Sequence, residues 1–265
     1  MDDAPALEDH LSVAEALADA ARAETLRFFR APSLATADKG QGAFDPVTEA
    51  DRAAERAMRD VLARLRPQDG ILGEEEAAVP SRSGLTWVLD PIDGTRGYLS
   101  GTPTWGTLIA LRDEARVLLG LIDQPFTGER FCGAGARAWL DHRGARRPIS
   151  TRAARPLSEA VLYTTFPEIG TATEARAFRA VAQRCRLVRY GLDCYAYALV
   201  ALGQVDLVIE AGLQPYDICA PIGVIEAAGG LVTDWQGHPA LAGGRILAAA
   251  NPAVHAEALA LLSQA

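Results

Sequence analysis

Trp87-Val88-Leu89-Asp90-Pro91-Ile92-Asp93-Gly94-Thr95 is the stretch on which the reading of this chain turns. A short apolar run of buried-strand character stops abruptly on a carboxylate. Pro91 stiffens the turn out of the strand, so Asp90 and Asp93 reach neighbouring points. Gly94 lets the backbone come close to a ligand. The amides of Gly94 and Thr95 open a short helix, and free amides at a helix start favour phosphate. Carboxylates for a cation beside amides for a phosphate point to metal-assisted phosphoryl transfer to water.

The same pattern recurs on either side. Gly73-Glu74-Glu75-Glu76 follows Ile71-Leu72, Asp217 sits at the start of a helix, and Glu210 closes the strand before it. Carboxylates crowded at strand ends repel one another and cost desolvation unless cations neutralise them. Oxygen-only ligands of this kind suit Mg²⁺. Each piece has a plainer reading alone: three Glu as a solvated turn, Thr48 and Asp51 as a helix cap, Asp217 as an N-cap. Their combination, each at an element boundary, favours the cation site.

Around these motifs the sequence predicts a long amphipathic helix to about Arg30, a polar loop over 31–44, and a second helix opened by Thr48 and Asp51. That helix turns Ala54, Met58, Val61, Leu62 and Leu65 to the core and ends at Pro67 and Gly70. Paired strands follow at 106–112 and 116–123, then at 129–132 and 136–140. From about Thr151 strand and helix alternate: strands at 161–164, 187–190 and 206–210, helices at 171–184, 193–202 and 217–228, and a last helix after Asn251-Pro252. The expected division is an N-terminal α+β lobe, 1–150, carrying most of the metal ligands, and a C-terminal α/β lobe, 151–265, carrying the substrate side and the last metal Asp.

Composition narrows the function classes. The 265 residues carry 26 basic and 34 acidic side chains, net charge −8, with 49% hydrophobic residues. That balance argues against non-specific nucleic-acid binding, which needs a basic surface, but not against a phosphate ligand reached through cations. The apolar stretches 195–202 and 246–250 are far shorter than the roughly 20 residues of a membrane span. Met1-Asp2-Asp3 lacks the character of a signal peptide, so the expected location is the cytoplasm, without membrane or nucleic-acid partners. Cys132, Cys185, Cys194 and Cys219 have no paired spacing and read as reduced, buried thiols. His10, His142, His238 and His255 read as surface or capping residues, and Tyr98 and Trp105 as core.

In this combination the motifs resemble the inositol monophosphatase superfamily: Asp45-Pro46-Val47-Thr48-Glu49-Ala50-Asp51, Gly73-Glu74-Glu75, Asp90 to Thr95, and Pro215-Tyr216-Asp217 through Glu226-Ala227-Ala228-Gly229-Gly230. The similarity covers nearly the whole chain. It implies an α/β fold, the layered α-β-α-β-α sandwich of the inositol monophosphatase and fructose-bisphosphatase type, a homodimer, and two or three Mg²⁺ ions per site. Carried over, it places one metal on Glu74, Asp90 and the Ile92 carbonyl, a second on Asp90, Asp93 and Asp217, and a weaker third on Glu74. The resemblance further implies that Thr95, hydrogen-bonded to Asp51, orients the attacking water. Glu75 would support bound waters, the Gly94 and Thr95 amides would hold the phosphate, and a lysine, here Lys39, would lie at the rim of the metal site.

Within the superfamily the chain is most similar to the histidinol-phosphate phosphatase branch. Arg96-Gly97-Tyr98-Leu99-Ser100-Gly101 and Gly191-Leu192-Asp193-Cys194-Tyr195 carry that likeness, where many inositol-type members have Gly-Ser-Ala-Ala at the second site. Histidinol phosphate presents an ammonium and an imidazole, so its pocket needs acceptors and negative charge. Asp193 and Glu210 are expected to supply them, with Arg96 beside them; the plainer reading of Asp193 is an N-cap of its helix. The alternatives are another small phosphate monoester of the same superfamily (an inositol phosphate, a sugar bisphosphate or a 3′-phosphoadenosine nucleotide) and a non-catalytic metal- or phosphate-binding protein. Lys39 is the sole lysine of the 26 basic residues, and an ammonium on a flexible stem does not interchange with a guanidinium.

Overall fold

Two sheets organise the chain. The structure, a computed structural model, describes residues 4–31, 36–38 and 46–263. Helices α1 (Ala4–Phe28) and α2 (Glu49–Leu65) flank a two-stranded ribbon of β1 (Thr36–Asp38) and β2 (Pro46–Thr48). Strands β3 (Gly70–Gly73), β4 (Thr86–Asp93), β5 (Gly106–Arg112), β6 (Val117–Gln124), β7 (Glu129–Ala134), β8 (Arg137–His142) and β9 (Ala145–Pro148) form a seven-stranded sheet in sequence order, with helix α3 (Thr95–Ser100) between β4 and β5. All its pairings are antiparallel except β3 with β4. The second sheet takes β10 (Val161–Thr164), β11 (Leu187–Tyr190), β12 (Leu207–Leu213), β13 (Leu231–Thr233) and β14 (Gly244–Ala249) in the order β11-β10-β12-β14-β13. Helices α4 (Ala172–Ala182), α5 (Cys194–Ala201), α6 (Pro215–Ala227) and α7 (Pro252–Leu262) complete it.

The buried side chains give the layering. Leu11, Ala14, Leu17 and Ala21 of α1, with Ala54, Met58 and Leu62 of α2, recur at helical spacing and pack on one face of the seven-stranded sheet against Trp87, Leu89, Ile109 and Leu121. Its other face supplies Val88, Leu108, Ala110 and Ile122 to a core shared with α5, α6 and Val208, Ile246 and Ala248 of the five-stranded sheet. The far face of that second sheet is closed by Phe178 and Val181 of α4 and by Val254 and Ala258 of α7. The result is the expected α-β-α-β-α sandwich.

The central helix layer lies unusually close to the first sheet. A Cβ added at Gly223 of α6 would stand 2.6 Å from the backbone nitrogen of Gly120 on β6. Backbone therefore rests on backbone there, which sets the depth at which α6 delivers its first turn.

Several elements differ from the sequence reading. The expected loop over 31–44 contains β1, whose three residues are too few and too polar to show a period. Strand β9 is an exposed edge strand, Ala145-Arg146-Arg147-Pro148, whose polar composition hid it. Strands β13 and β14 are likewise absent from the sequence reading, and the helix expected from Asp217 begins at Pro215, with proline at its first position. Thr171 forms a capping box with Glu174 at the start of α4. Lys39 and the Thr48 side chain lie outside the described residues.

Candidate active site

Strand residues three apart point to opposite faces of a sheet, so Asp90 and Asp93 should diverge. They do not, because the strand carries one extra residue between them: Asp90 pairs with Leu108 while Asp93 pairs with Gly106. The Thr107 hydroxyl donates to the Pro91 carbonyl at 2.8 Å and pins this bulge. The extra residue turns Asp93 back toward Asp90. From the helix layer, α6 brings Asp217, and carboxylate oxygens of Asp90, Asp93 and Asp217 come within 4.8 Å of one another. Asp217 is not the helix cap: it is the third helical residue, accepts from the Gln214 amide at 2.7 Å, and still faces the cluster.

Three carboxylates this close need a counter-charge. Asp90 is 1% exposed, and among the described residues its Oδ1 is buried without a hydrogen-bond partner. Burial, then the charges of Glu74, Asp93, Asp217 and Asp51, push its carboxyl well above the usual range. Asp93 is raised the same way, by burial and then by Asp193 and Asp217, although the Cys194 amide donates to it at 2.5 Å. An oxygen-only donor set with an orphaned buried oxygen fits a hard divalent cation.

The three consecutive glutamates have three different environments. Glu74 lines the cleft beside Asp93 and Asp217. The Glu75 side chain is buried and lies 3.6 Å from the Arg52 guanidinium, and Glu76 is exposed, 3.6 Å from Arg59. What fixes them is a residue that sequence reasoning missed. Glu55, fully buried on α2 one turn after Asp51, accepts from the amides of Glu75 (2.8 Å) and Glu76 (3.1 Å) and pairs with Arg59 at 2.8 Å. Arg59 in turn donates to the Glu76 carbonyl. The available signal was an acid within the apolar stripe of α2, four residues before an arginine.

Gly94 caps α3 in the left-handed region, φ +83°. A Cβ there would lie 2.9 Å from Asp193 Cγ, so glycine is required twice over. The Thr95 hydroxyl donates to the Ile92 carbonyl at 3.1 Å. Arg96 stands over the Phe166 ring at 5.1 Å. Beneath this turn Tyr98 and Trp105 are buried with Ile92 and Ala50, core residues as expected.

The cleft beside the cluster, of about 430 Å³, is also lined by Asp193, Tyr197 and Glu210, with Arg96, Thr165, Phe166 and Tyr216 on its walls. Asp193 precedes α5 but makes no capping bond, and its backbone sits at φ +47°, ψ −136°, a region that non-glycine residues rarely adopt. Its carboxyl is pushed up to about 6 by burial, against the pull of Arg96. Glu210 lies just before a second bulge, between β12 and β14. Thr164 Oγ1, the Thr165 amide and Thr165 Oγ1 all donate to it, at 3.1, 2.7 and 2.9 Å. Burial nonetheless raises it to about 7.

Among the other residues singled out from the sequence, Cys132, Cys194 and Cys219 are buried free thiols, whereas Cys185, expected to be buried with them, is free but only partly buried. His255 is not a surface residue: it is buried, with Nε2 2.8 Å from the Thr233 hydroxyl. Among the described residues, no helix is long and apolar enough to cross a membrane.

Comparison with known proteins agrees with this fold. Residues 6–265 match the model of the inositol monophosphatase family. A chloroplastic bifunctional phosphatase IMPL2 of Arabidopsis thaliana is 44% identical over 87% of this chain, which spans 66% of that protein's length. A histidinol-phosphatase of Chlorobaculum parvum is 34% identical over 92% of this chain and 93% of its own. Among solved structures, an inositol monophosphatase from Zymomonas mobilis superposes with a TM-score of 0.85 at 39% identity, covering 97% of this chain and 98% of that one.

Proposed function

The chain belongs to the inositol monophosphatase family, and on that premise we propose that this phosphatase hydrolyses histidinol phosphate to histidinol and phosphate with Mg²⁺, two or three ions per site. The observation that carries the substrate is the pair Asp193 and Glu210, two desolvated carboxylates that line the cleft beside the acidic cluster. A buried carboxylate raised toward neutrality is stabilised in its charged form by a cation, and the amine of histidinol phosphate is one. An inositol ring offers only hydroxyls and gives two such charges nothing to neutralise.

Asp90, Asp93 and Asp217, with Glu74 and the Ile92 carbonyl, would hold the divalent ions. Bound there, they would supply charge neutralisation for the phosphate and its leaving oxygen. The chain's own groups do the rest. The Gly94 and Thr95 amides hold the phosphate, and Thr95 with Asp51 orients the attacking water, as Glu75 supports the waters of the site. Asp193 and Glu210 fix the amino-alcohol end, so the ester presents its phosphorus to that water, with Arg96 on the wall beside them. We place Lys39 at the rim of the same site. We read the assembly as a homodimer, supported by the outer strand β11, whose Leu187 and Tyr190 are close to half exposed.

The test is Asp193→Ala. It is expected to raise KM for histidinol phosphate tenfold or more, roughly the worth of a charged hydrogen bond, while KM for an aryl phosphate stays within about twofold. Equal effects on the two substrates would remove Asp193 from recognition.

A further inference from the structure

Alternation along β6 sends Asp123 and Gln124 to opposite faces of the first sheet. Asp123 meets Arg22 of α1, whereas Gln124 faces α5 and is wholly buried. Its Nε2 donates to Cys194 Sγ at 3.3 Å. Gln124 pairs across the hairpin with Glu129, the first residue of β7, and side chains paired this way share a face. Glu129 accepts from the Tyr195 hydroxyl at 2.8 Å. The β6–β7 hairpin thus fastens the first two residues of α5, which directly follow Asp193.

Cys194 is held from the other side as well, where its amide donates to Asp93 at 2.5 Å. The two contacts converge on Gly106, the residue paired with Asp93 across the bulge in β4. A Cβ at Gly106 would lie 2.5 Å from Gln124 Nε2 and 2.7 Å from Cys194 Sγ, so these two side chains fill the space over that glycine. One peptide, Asp193–Cys194, therefore carries the backbone of a cleft carboxylate and the amide that holds a cluster carboxylate. Asp193 sits at φ +47°, a conformation that persists only where its surroundings over-determine it. Among the described residues the Gln124 Oε1 is itself buried without a hydrogen-bond partner, a penalty that an apolar side chain would avoid.

We infer that Gln124 is a positioning residue: by locking the Asp193–Cys194 peptide it sets the metal ligand Asp93 and the recognition carboxylate Asp193 together. Gln124 does not itself line the cleft. The action on Asp93 stands on the acidic cluster, and the action on Asp193 rests on the substrate reading above.

Gln124→Met keeps the length of the side chain and removes the donor. Wild type, Gln124→Met, Asp193→Ala and the double variant are to be compared by calorimetric Mg²⁺ binding and a thermal melt. KM for histidinol phosphate and for p-nitrophenyl phosphate is measured alongside at saturating Mg²⁺. Gln124→Met is expected to weaken Mg²⁺ binding and to raise KM for histidinol phosphate, each about fivefold, the worth of one buried hydrogen bond. KM for p-nitrophenyl phosphate should stay within about twofold. In the Asp193→Ala background the same change should leave KM for histidinol phosphate where Asp193→Ala alone puts it, because the carboxylate it positions is gone. Tyr195→Phe, which releases the second fastening, should show the same pattern and carries the test if Gln124→Met does not fold. In an enzyme that prefers histidinol phosphate, unchanged Mg²⁺ affinity or unchanged KM in a folded variant overturns the inference. Equal factors with and without Asp193 do the same, because they mark a packing role. A wild-type enzyme that prefers an inositol phosphate overturns the substrate reading, and Mg²⁺ binding then decides: weakened, it keeps Gln124 as the positioning residue of Asp93; unchanged, it removes it.

Discussion

Glu210→Gln turns a buried charge into a measurable quantity. In the folded protein the Glu210 carboxyl is raised from its ordinary 4.5 to about 7, chiefly by burial. A group whose folded value lies above its unfolded one contributes its stability below about pH 4.5 and loses it as pH rises through about 7. At about 1.4 kcal/mol per unit, Glu210 costs the metal-free protein about 3 kcal/mol at pH 8 and under ~1 kcal/mol at pH 5. Glutamine does not titrate, so any packing change it causes is the same at both pH values and cancels. Urea unfolding of both metal-free proteins at pH 5 and pH 8 should therefore show the variant gaining about 2.5 kcal/mol on wild type across that interval. Saturating histidinol should shrink the gain by returning a cation to the carboxylate. A difference that does not depend on pH would refute the reasoning, since Glu210 would then ionise like a solvated acid and have no need of a cationic ligand.

Asp193→Gly relieves the unfavourable backbone at φ +47° and should stabilise the protein by about 1 kcal/mol in urea unfolding while abolishing discrimination for histidinol phosphate. Asp90→Asn removes a repelled, desolvated charge; a thermal melt without metal should place it above wild type, and Mg²⁺, which should raise the wild-type midpoint, should leave the variant's unmoved. Glu55→Gln weakens the acceptor that holds the Glu74–Glu76 turn on α2 and should raise the Mg²⁺ concentration for half-maximal activity several-fold, with substrate KM at saturating Mg²⁺ within about twofold. Gly94→Ala sets a methyl 2.9 Å from Asp193 Cγ on a backbone with φ +83° and should lose more than about 1 kcal/mol in the same unfolding assay.

What the sequence made legible was local chemistry. Asp90, Asp93 and Asp217 stand out because acids at the ends of apolar runs break a pattern, and the structure brings these three together. The layered fold was legible for the same reason, since the apolar stripes of α1 and α2 and the paired strands keep their periods. What stayed hidden is set by tertiary context. Glu55 looks like any helical acid until the turn at Glu75 is folded onto it. Nothing in Leu192-Asp193-Cys194 announces a positive φ on a non-glycine residue. The bulge that aligns Asp90 with Asp93 exists only in register with β5. Glu210 reads from the sequence as a pocket acid, but its anchoring by Thr164 and Thr165 depends on β10 lying alongside β12.

The central claim is tested most directly by kcat/KM for histidinol phosphate against inositol 1-phosphate, measured with the Mg²⁺-loaded enzyme under one set of conditions. The cleft carboxylates require histidinol phosphate to win by about two orders of magnitude, the worth of one cation seated on buried acceptors. Equal values, or a preference for the inositol ester, would contradict the account.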